Sequence, residues 1–376
     1  MKDQIVFRGT SGYHELEKYI SELHCKRLML VCGRSLSSTR AGAFFDRLPG
    51  NTGVEIVRFS GFSPNPSYEE TVKGVELFRS EKCDGIIAAG GGSAMDTAKC
   101  IKAIAKMQDS EEWIKQPITS NEIPIIAMPT TAGTGSETTR YAVVYYNGKK
   151  FSVTHESIIP DAVLLDAELL SGLPELHKVS AMLDALCHAI ESFWSVNSTS
   201  QSRALSRRSI GMILQNMDGY LSGESSCAEQ MLDAAYISGQ AINITATTAG
   251  HAMSYELTGK FGMTHGHAVA VCVPEVYRYM LENPEKLTDH RGNEYFQECM
   301  SELAFLLGEK DHLAAYEKLR ELPIKLGMEL PVGITEDLLE QLAKSVDSGR
   351  LKNNPVLPDK DGLKLIYRRI FNRSRI

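Results

Sequence analysis

The stretch "CDGIIAAGGGSAMDTAKCIKAIAK", Cys83 to Lys106, decides the class of fold. An apolar run stops at Gly90, Gly91 and Gly92. A helical pattern then opens at Ser93, with Ala94, Ala98, Ile101 and Ala105 on one face. Strand, turn and helix in succession are the first pieces of a βαβ unit. Three consecutive glycines give up packing and cost backbone entropy, so they need a reason. One reason is a tight strand-to-helix turn. The other is an anion lying against bare backbone, because N–H groups at a helix start bind phosphate when no side chain intervenes. The run is not the G-x-G-x-x-G dinucleotide fingerprint, so by itself it leaves both readings open.

Working outward, "RLMLVCG" (Arg27–Gly33), "GVEIVRF" (Gly53–Phe59) and "IPIIAMPT" (Ile123–Thr130) are further short apolar runs ending in turn residues. Helical patterns such as "SYEETVKGVELFRSEK" separate them. Strands alternating with helices predict a parallel sheet. "AVVYYNGKKFSV", Ala142 to Val153, reads as an antiparallel hairpin about Asn147-Gly148. From about Pro174 the pattern becomes long helices, beginning with "LHKVSAMLDALCHAIESFWS". The expectation is an α/β domain over residues 1–173 and an all-helical domain over 174–376. A chain of 376 residues also exceeds what one hydrophobic core usually serves.

Composition narrows the function classes. A net charge of -7 with no basic block argues against nucleic acid or an anionic membrane surface. No apolar run approaches a bilayer-spanning length, and the N-terminus lacks the apolar core of a signal peptide. Eight cysteines without a C-x-x-C pair predict reduced thiols. A soluble cytoplasmic protein is the expectation.

A second loop bears on the glycine question. "MPTTAGTGSETT", Met128 to Thr139, follows the next strand and mixes glycine with hydroxyls at Thr130, Thr131, Thr134 and Ser136. Two such loops after neighbouring parallel strands line the carboxyl edge of the sheet, where α/β folds bind nucleotides. A plain Ser/Thr-rich surface loop is the alternative.

A different chemistry emerges downstream. In "AMLDALCHAIESFW", Asp184 and His188 stand at i and i+4 and project from one helix face, an arrangement that also occurs as an ordinary surface contact. "GHAMSYELTGKFGMTHGHAVAVCVP" then places His251, His265 and His267 in an otherwise apolar stretch. Histidines among Ala, Val and Met need partners, and a metal is one. One carboxylate with three imidazoles suits Fe(II) or Zn(II) and leaves a position open for a substrate oxygen.

With these residues in view, the sequence resembles the iron-containing (group III) alcohol dehydrogenases. That family carries G-G-G-S-x-x-D-x-A-K, here Gly90 to Lys99, and P-T-T-x-G-T-G-S-E, here Pro129 to Glu137. Its metal helix D-x-x-x-H is similar to Asp184 and His188, and its later H…H-G pair to His251 and His265-Gly266. The resemblance implies a dehydroquinate-synthase-like superfold with an N-terminal dinucleotide domain, an all-helical C-terminal domain and a metal in the cleft between them. It implies Asp184, His188, His251 and His265 as ligands of Fe(II) or Zn(II). It implies cofactor contacts at Asn65, Gly91, Gly92, Ser93, Thr130, Thr131, Thr134, Thr139 and Lys150. The reaction implied is hydride transfer between a nicotinamide and a small aldehyde or primary alcohol, with a homodimer as the expected assembly.

Two departures from the family pattern matter. Many members carry a histidine four residues after the first of the late pair, as a proton-relay candidate. Tyr255 stands there instead, and His267 could replace that histidine or be merely hydrogen-bonded within its helix. Secondly, relatives often have V-T-D after the second strand, where the carboxylate accepts from the adenosine ribose. This chain reads "VCGRSLSST", with Gly33, Arg34 and Ser35, which leans towards NADP with NAD still possible. The polar set Asn243, Thr245, Thr247, Thr248 and Tyr255 suits an anionic head group, and the texture is most similar to the branch that reduces phosphonoacetaldehyde to 2-hydroxyethylphosphonate. A generic small-alcohol or diol dehydrogenase is the first alternative. A dehydroquinate-synthase-like lyase is the second, and a metal-less binding protein the third.

Overall fold

In the computed structural model, which describes residues 3–107 and 112–372, the chain falls into two units, Met1–Leu173 and Pro174–Ile376. The first unit runs β1 (Ile5–Arg8), α1 (Gly9–Glu22), β2 (Arg27–Cys32), α2 (Arg40–Thr52), β3 (Glu55–Phe59) and α3 (Tyr68–Ser80). It continues with β4 (Gly85–Gly90), α4 (Gly92–Ile104), β5 (Ile125–Pro129), β6 (Tyr141–Tyr146), β7 (Lys149–Thr154) and β8 (Ala162–Leu165). Six strands form one parallel sheet in the order β1-β8-β5-β4-β2-β3.

Both faces of this sheet are covered, which is why its inner strands read as continuous apolar runs. Leu28 and Leu30 of β2, Ile87 of β4 and Ile126 of β5 join one core with Leu16 and Ile20 of α1 and Phe44, Phe45 and Leu48 of α2. The intervening Met29, Ile86 and Ile125 are buried as well. The chain leaves β2 through α2 towards one edge and leaves β4 through α4 towards the other. The order therefore reverses between β2 and β4, and their carboxyl ends flank the crevice where open α/β sheets bind ligands.

Sequence patterning names four of the six strands. β1 and β8 hold only four residues each, too few for a periodic signal, and they pair with each other along one side of the sheet. The hairpin is present as β6 and β7, with Asn147 at φ 50° and Gly148 at φ 71° making the tight left-handed turn.

The second unit is helical among the described residues, as the sequence implied. Its elements are α5 (Glu175–Trp194), α6 (Ser200–Ser222), α7 (Ser225–Thr245), α8 (Ala249–Phe261) and α9 (His265–Glu282), then α10 (Gly292–Leu306), α11 (His312–Lys325), α12 (Glu336–Ser345), α13 (Ser348–Leu351) and α14 (Lys360–Phe371). Helix α5 packs against α6, α7 and α9 and is buried almost all round from Val179 onwards. A helix in that position can present polar groups only to other protein groups or to a ligand. No described helix is long and apolar enough to cross a membrane.

Candidate active site

The first unit answers the question raised by its glycines. None of Gly90, Gly91 and Gly92 has a positive φ, so the turn does not demand them. Proximity does. A Cβ on Gly91 would come within 3.2 Å of Thr131 Cγ2, and one on Gly92 within 3.0 Å of Thr134 Cγ2. The threonine loop lies on bare glycine backbone, and Thr130 N–H donates to Gly90 O at 3.0 Å. Gly91, not Ser93, is the N-cap of α4, and no side chain caps the helix. Ser93 instead accepts from the Asn65 N–H at 3.3 Å, tying the loop at residues 63–67 to the same helix start. Asn65 is exposed with φ 58°, a left-handed backbone that Asn tolerates. Gly91, Gly92, Ser93, Thr130, Thr131 and Thr134 thus gather beyond the ends of β4 and β5, all part-exposed.

Beneath this edge lies a buried ammonium. Lys99 Nζ, with three N–H groups to give, is ringed by five oxygens: the carbonyls of Ser136, Thr139 (2.7 Å) and Tyr141 (2.9 Å), and the hydroxyls of Ser136 and Thr139, both at 3.1 Å. Burial pushes Lys99 down to about 8, against the opposing pull of Asp96 and Glu137. Glu137 is itself pushed up by burial, to about 7. The arrangement adds to the sequence reading of this loop. Thr139 is only 3% exposed and its hydroxyl meets Lys99, so it shapes the loop from below. Ser136 is likewise spent, donating to Asp96 Oδ1 at 3.0 Å. Lys150 is half-buried on β7 opposite Tyr145, whose N–H donates to Pro66 O at 2.9 Å. Gly33 is half-buried just past β2, while Arg34 and Ser35 are exposed on the short turn Arg34–Ser38.

In the second unit, three imidazoles converge on one carboxylate oxygen. Asp184 Oδ1 lies 3.4 Å from His251 Nε2, 3.9 Å from His188 Nε2 and 3.9 Å from His265 Nε2. Asp184 and His188 come from α5, His251 from α8 and His265 from the first turn of α9. His188 and His251 are stacked, ring centroids 4.5 Å apart, and the His265 ring lies edge-on to His251 at 5.5 Å. Asp184, His188 and His251 are buried, with ligand atoms all within 4.8 Å of one another, whereas the His265 side chain keeps 37% exposure. Asp184 Oδ1 and His251 Nε2 are buried without a hydrogen-bond partner. Orphaned lone pairs aimed at one point cost free energy unless a cation takes them, and the donor set fits a divalent ion with one side open.

A carboxylate that sequence reasoning missed supports this set. Glu191 is fully buried, and one of its oxygens accepts from His251 Nδ1. The other accepts from Gly250 N–H (2.9 Å), Thr248 N–H (3.2 Å), His251 N–H (3.3 Å) and Thr248 Oγ1 (2.5 Å). Trp194 Nε1 completes the chain by donating to Thr248 Oγ1 at 2.9 Å. With Nδ1 committed, His251 must present Nε2 towards Asp184. Burial alone would raise the Asp184 and Glu191 carboxyls. The histidines outweigh it and hold both below the usual carboxylate range. The signal was in the sequence: Asp184, His188 and Glu191 are spaced i, i+4, i+7 on one helix face.

Close helix approach completes the geometry. A Cβ on Gly266 would lie 1.8 Å from Ser180 O and 2.9 Å from Asp184 Cβ, so only glycine lets α9 bring His265 to α5. Tyr255 stacks on His265 with ring centroids 6.1 Å apart and planes 14° from parallel. His267 differs. It is buried, and burial pushes it down to about 4, so it is a neutral imidazole. Two residues from His265, it also faces another side of α9. As a charged proton donor His267 is disfavoured on both counts. The hydroxyls of Thr245 and Thr248 are committed inside the protein as well, Thr245 to Ser192 Oγ (3.0 Å) and Ala246 O (2.9 Å). Thr247 is the exception, accepting from Arg350 Nη1 at 2.7 Å. Asn243 is buried on α7.

Comparison with known proteins agrees with both units. Residues 3–167 match the family model described as iron-containing alcohol dehydrogenase, and residues 178–371 match the C-terminal model of the Fe-containing alcohol dehydrogenase family. The chain is 30% identical to a 1,3-propanediol dehydrogenase of Klebsiella pneumoniae over 92% of each chain. It is 31% identical to an NADPH-dependent butanol dehydrogenase of Clostridium saccharobutylicum over 71% of each. The crystal structure of a sulfoacetaldehyde reductase from Bifidobacterium kashiwanohense in complex with NAD+ superposes with a TM-score of 0.86 at 26% identity, covering 98% of this chain and 97% of that one. The chain is an oxidoreductase and belongs to the iron-containing alcohol dehydrogenase family.

Proposed function

We propose that the protein reduces a small aldehyde to its primary alcohol with NAD(P)H, the preferred substrate being phosphonoacetaldehyde and the product 2-hydroxyethylphosphonate. The observation that carries the chemistry is the convergence of the His188, His251 and His265 Nε2 atoms on Asp184 Oδ1. These four residues would hold Fe(II) or Zn(II), which when bound supplies Lewis-acid polarisation of the aldehyde oxygen. Glu191 fixes the His251 ring, and Gly266 admits His265. Tyr255, stacked on His265, would deliver the proton that the new alcohol requires. Hydride and proton together balance the reduction, and the cofactor leaves as NAD(P)+.

On the nucleotide side, the part-exposed Gly91, Gly92, Ser93, Thr130, Thr131 and Thr134 form the pyrophosphate cradle, with Asn65 and Lys150 beside it. NADPH is the preferred cofactor because Gly33, Arg34 and Ser35 replace a ribose-binding carboxylate after β2. Among the described residues Arg34 has no carboxylate partner that would neutralise it against a 2′-phosphate. The likeness to an NADPH-dependent butanol dehydrogenase is consistent with this choice.

The deciding experiment is a panel of aldehydes against NADPH and NADH with enzyme loaded with Fe(II) or Zn(II). Phosphonoacetaldehyde should give the highest kcat/KM, and chelator should abolish turnover. Consumption of NADPH also separates this reading from a lyase that returns its cofactor unchanged. The likeness to a 1,3-propanediol dehydrogenase favours a neutral hydroxyaldehyde instead, and 3-hydroxypropanal belongs in the panel for that reason.

A further inference from the structure

We infer that Arg350 is the specificity residue of this site, recognising a tetrahedral oxyanion carried by the aldehyde. The inference rests on the reductase reading above and names the group that selects its substrate. Arg350 lies on α13, far in sequence from every motif, yet its guanidinium carbon stands 5.7 Å from the centre of the Tyr255 ring. Tyr255 in turn is stacked on His265. One aromatic ring therefore contacts both a guanidinium and the part-exposed imidazole of the metal-binding set.

The charge of Arg350 is uncompensated. Arg203, Arg207, Arg278, Arg291, Arg320, Arg368 and Arg369 each meet a carboxylate. Arg350 meets none among the described residues. Asp347, three residues earlier in the chain, caps the helix by accepting from Gly349 N–H at 2.8 Å and forms no ion pair with Arg350. Of the five N–H donors in its planar fork, Arg350 gives one, to Thr247 Oγ1 at 2.7 Å. A half-buried guanidinium with unspent donors fits a phosphonate or sulfonate, which accepts two parallel N–H bonds.

The partner of Arg350 is held for the same purpose. Thr247 is buried, and its backbone oxygen accepts from Asn353 Nδ2 at 3.0 Å. Its hydroxyl accepts from Arg350 and so keeps its own hydrogen to donate. The residue before it, Ala246, has φ 58° and ψ 176°, a backbone region used almost only by glycine. The junction between α7 and α8 is therefore strained and clasped from both sides. An oxyanion seated on Arg350 and Thr247 would lie beside Tyr255, the ring that stacks on His265. This recognition replaces the one expected from Thr245 and Thr248, whose hydroxyls are spent.

Arg350 could instead be only a strut for Thr247, and substrate selectivity separates the two roles. In metal-loaded Arg350→Gln, kcat/KM for phosphonoacetaldehyde should fall about 100-fold while that for propanal stays within about threefold. The Ki of ethylphosphonate, an unreactive analogue, should rise in parallel. Arg350→Lys should recover part of the loss, because the charge returns without the fork. Sulfoacetaldehyde as a second arm tells which oxyanion is preferred, and either preference supports the assignment. Equal losses for charged and neutral aldehydes, or no loss for either, would overturn it. Wild-type enzyme that prefers propanal overturns it together with the phosphonoacetaldehyde preference, while leaving aldehyde reduction with NAD(P)H intact. Metal-loaded wild-type enzyme that reduces neither aldehyde with either cofactor sinks both.

Discussion

Glu191 takes the Nδ1 hydrogen of His251 and so turns the other nitrogen of that ring towards Asp184, at 3.4 Å from its Oδ1. The carboxylate is fully buried, and its second oxygen is surrounded by donors from the α8 start. It therefore cannot rotate away without orphaning several N–H groups.

Metal retention should accordingly depend on a residue that is not itself a ligand. Glu191→Gln brings an amide N–H₂ into a ring of donors, leaving either His251 or the Thr248–Gly250 backbone unpaired. Metal affinity should drop by about 10- to 100-fold. Metal content after dialysis against graded chelator measures this directly. His251→Ala should lose the metal outright, and a Glu191→Gln enzyme with wild-type metal retention would refute the positioning role.

Glycine at 266 is a packing requirement, and its neighbourhood supplies an internal control. Gly266→Ala forces α9 away from Ser180 and separates His265 from Asp184, so both metal content and Tm should fall. Gly259 on α8 has nothing within 4 Å of a built Cβ, and Gly259→Ala should stabilise the protein by about 0.5–1 kcal/mol. Thermal unfolding of the two variants side by side checks the contrast.

Cofactor choice should turn on the end of β2. Gly33 has φ -71°, and the nearest atom to a built Cβ is Ser35 Oγ at 3.9 Å, so an aspartate is sterically free to stand there. Gly33→Asp adds a ribose acceptor and repels a 2′-phosphate, moving preference from NADPH towards NADH. Ratios of kcat/KM for the two cofactors decide it. A wild-type enzyme favouring NADH tenfold, about 1.4 kcal/mol in the wrong direction, contradicts the assignment.

The threonine loop should loosen in alkaline solution. Lys99 is charged below about 8, where its ammonium gathers oxygens from Ser136, Thr139 and Tyr141. Above that pH the charge and the strength of those bonds are lost, so cofactor KM should rise through pH 8 to 9. Lys99→Met should raise cofactor KM about tenfold or more already at neutral pH and abolish the pH effect. Steady-state titrations of NADPH across the pH range provide the test.

Much of this protein is legible in the sequence, because the signals are local. Alternating short apolar runs and helical patterns announce the parallel sheet, since strand and helix periodicity depend only on neighbours in sequence. Asp184 and His188 belong to one helix face for the same reason. Other features depend on contacts between distant residues. The three glycines look like a flexible turn, yet none has a positive φ; Gly91 and Gly92 are crowded by threonines some forty residues away, and Gly90 by Ala94 of the following helix. Glu191 could be suspected from its spacing, but only the packing of α8 on α5 shows that it grips His251. Thr139, Thr245 and Thr248 carry the right chemistry in the sequence, and tertiary hydrogen bonds consume their hydroxyls. Arg350 shows the limit most plainly. Nothing near it in the chain announces a binding residue, and only the fold brings its guanidinium to Tyr255 and Thr247. Local sequence determines which elements form, whereas the desolvation and pairing of each polar group are decided when those elements meet.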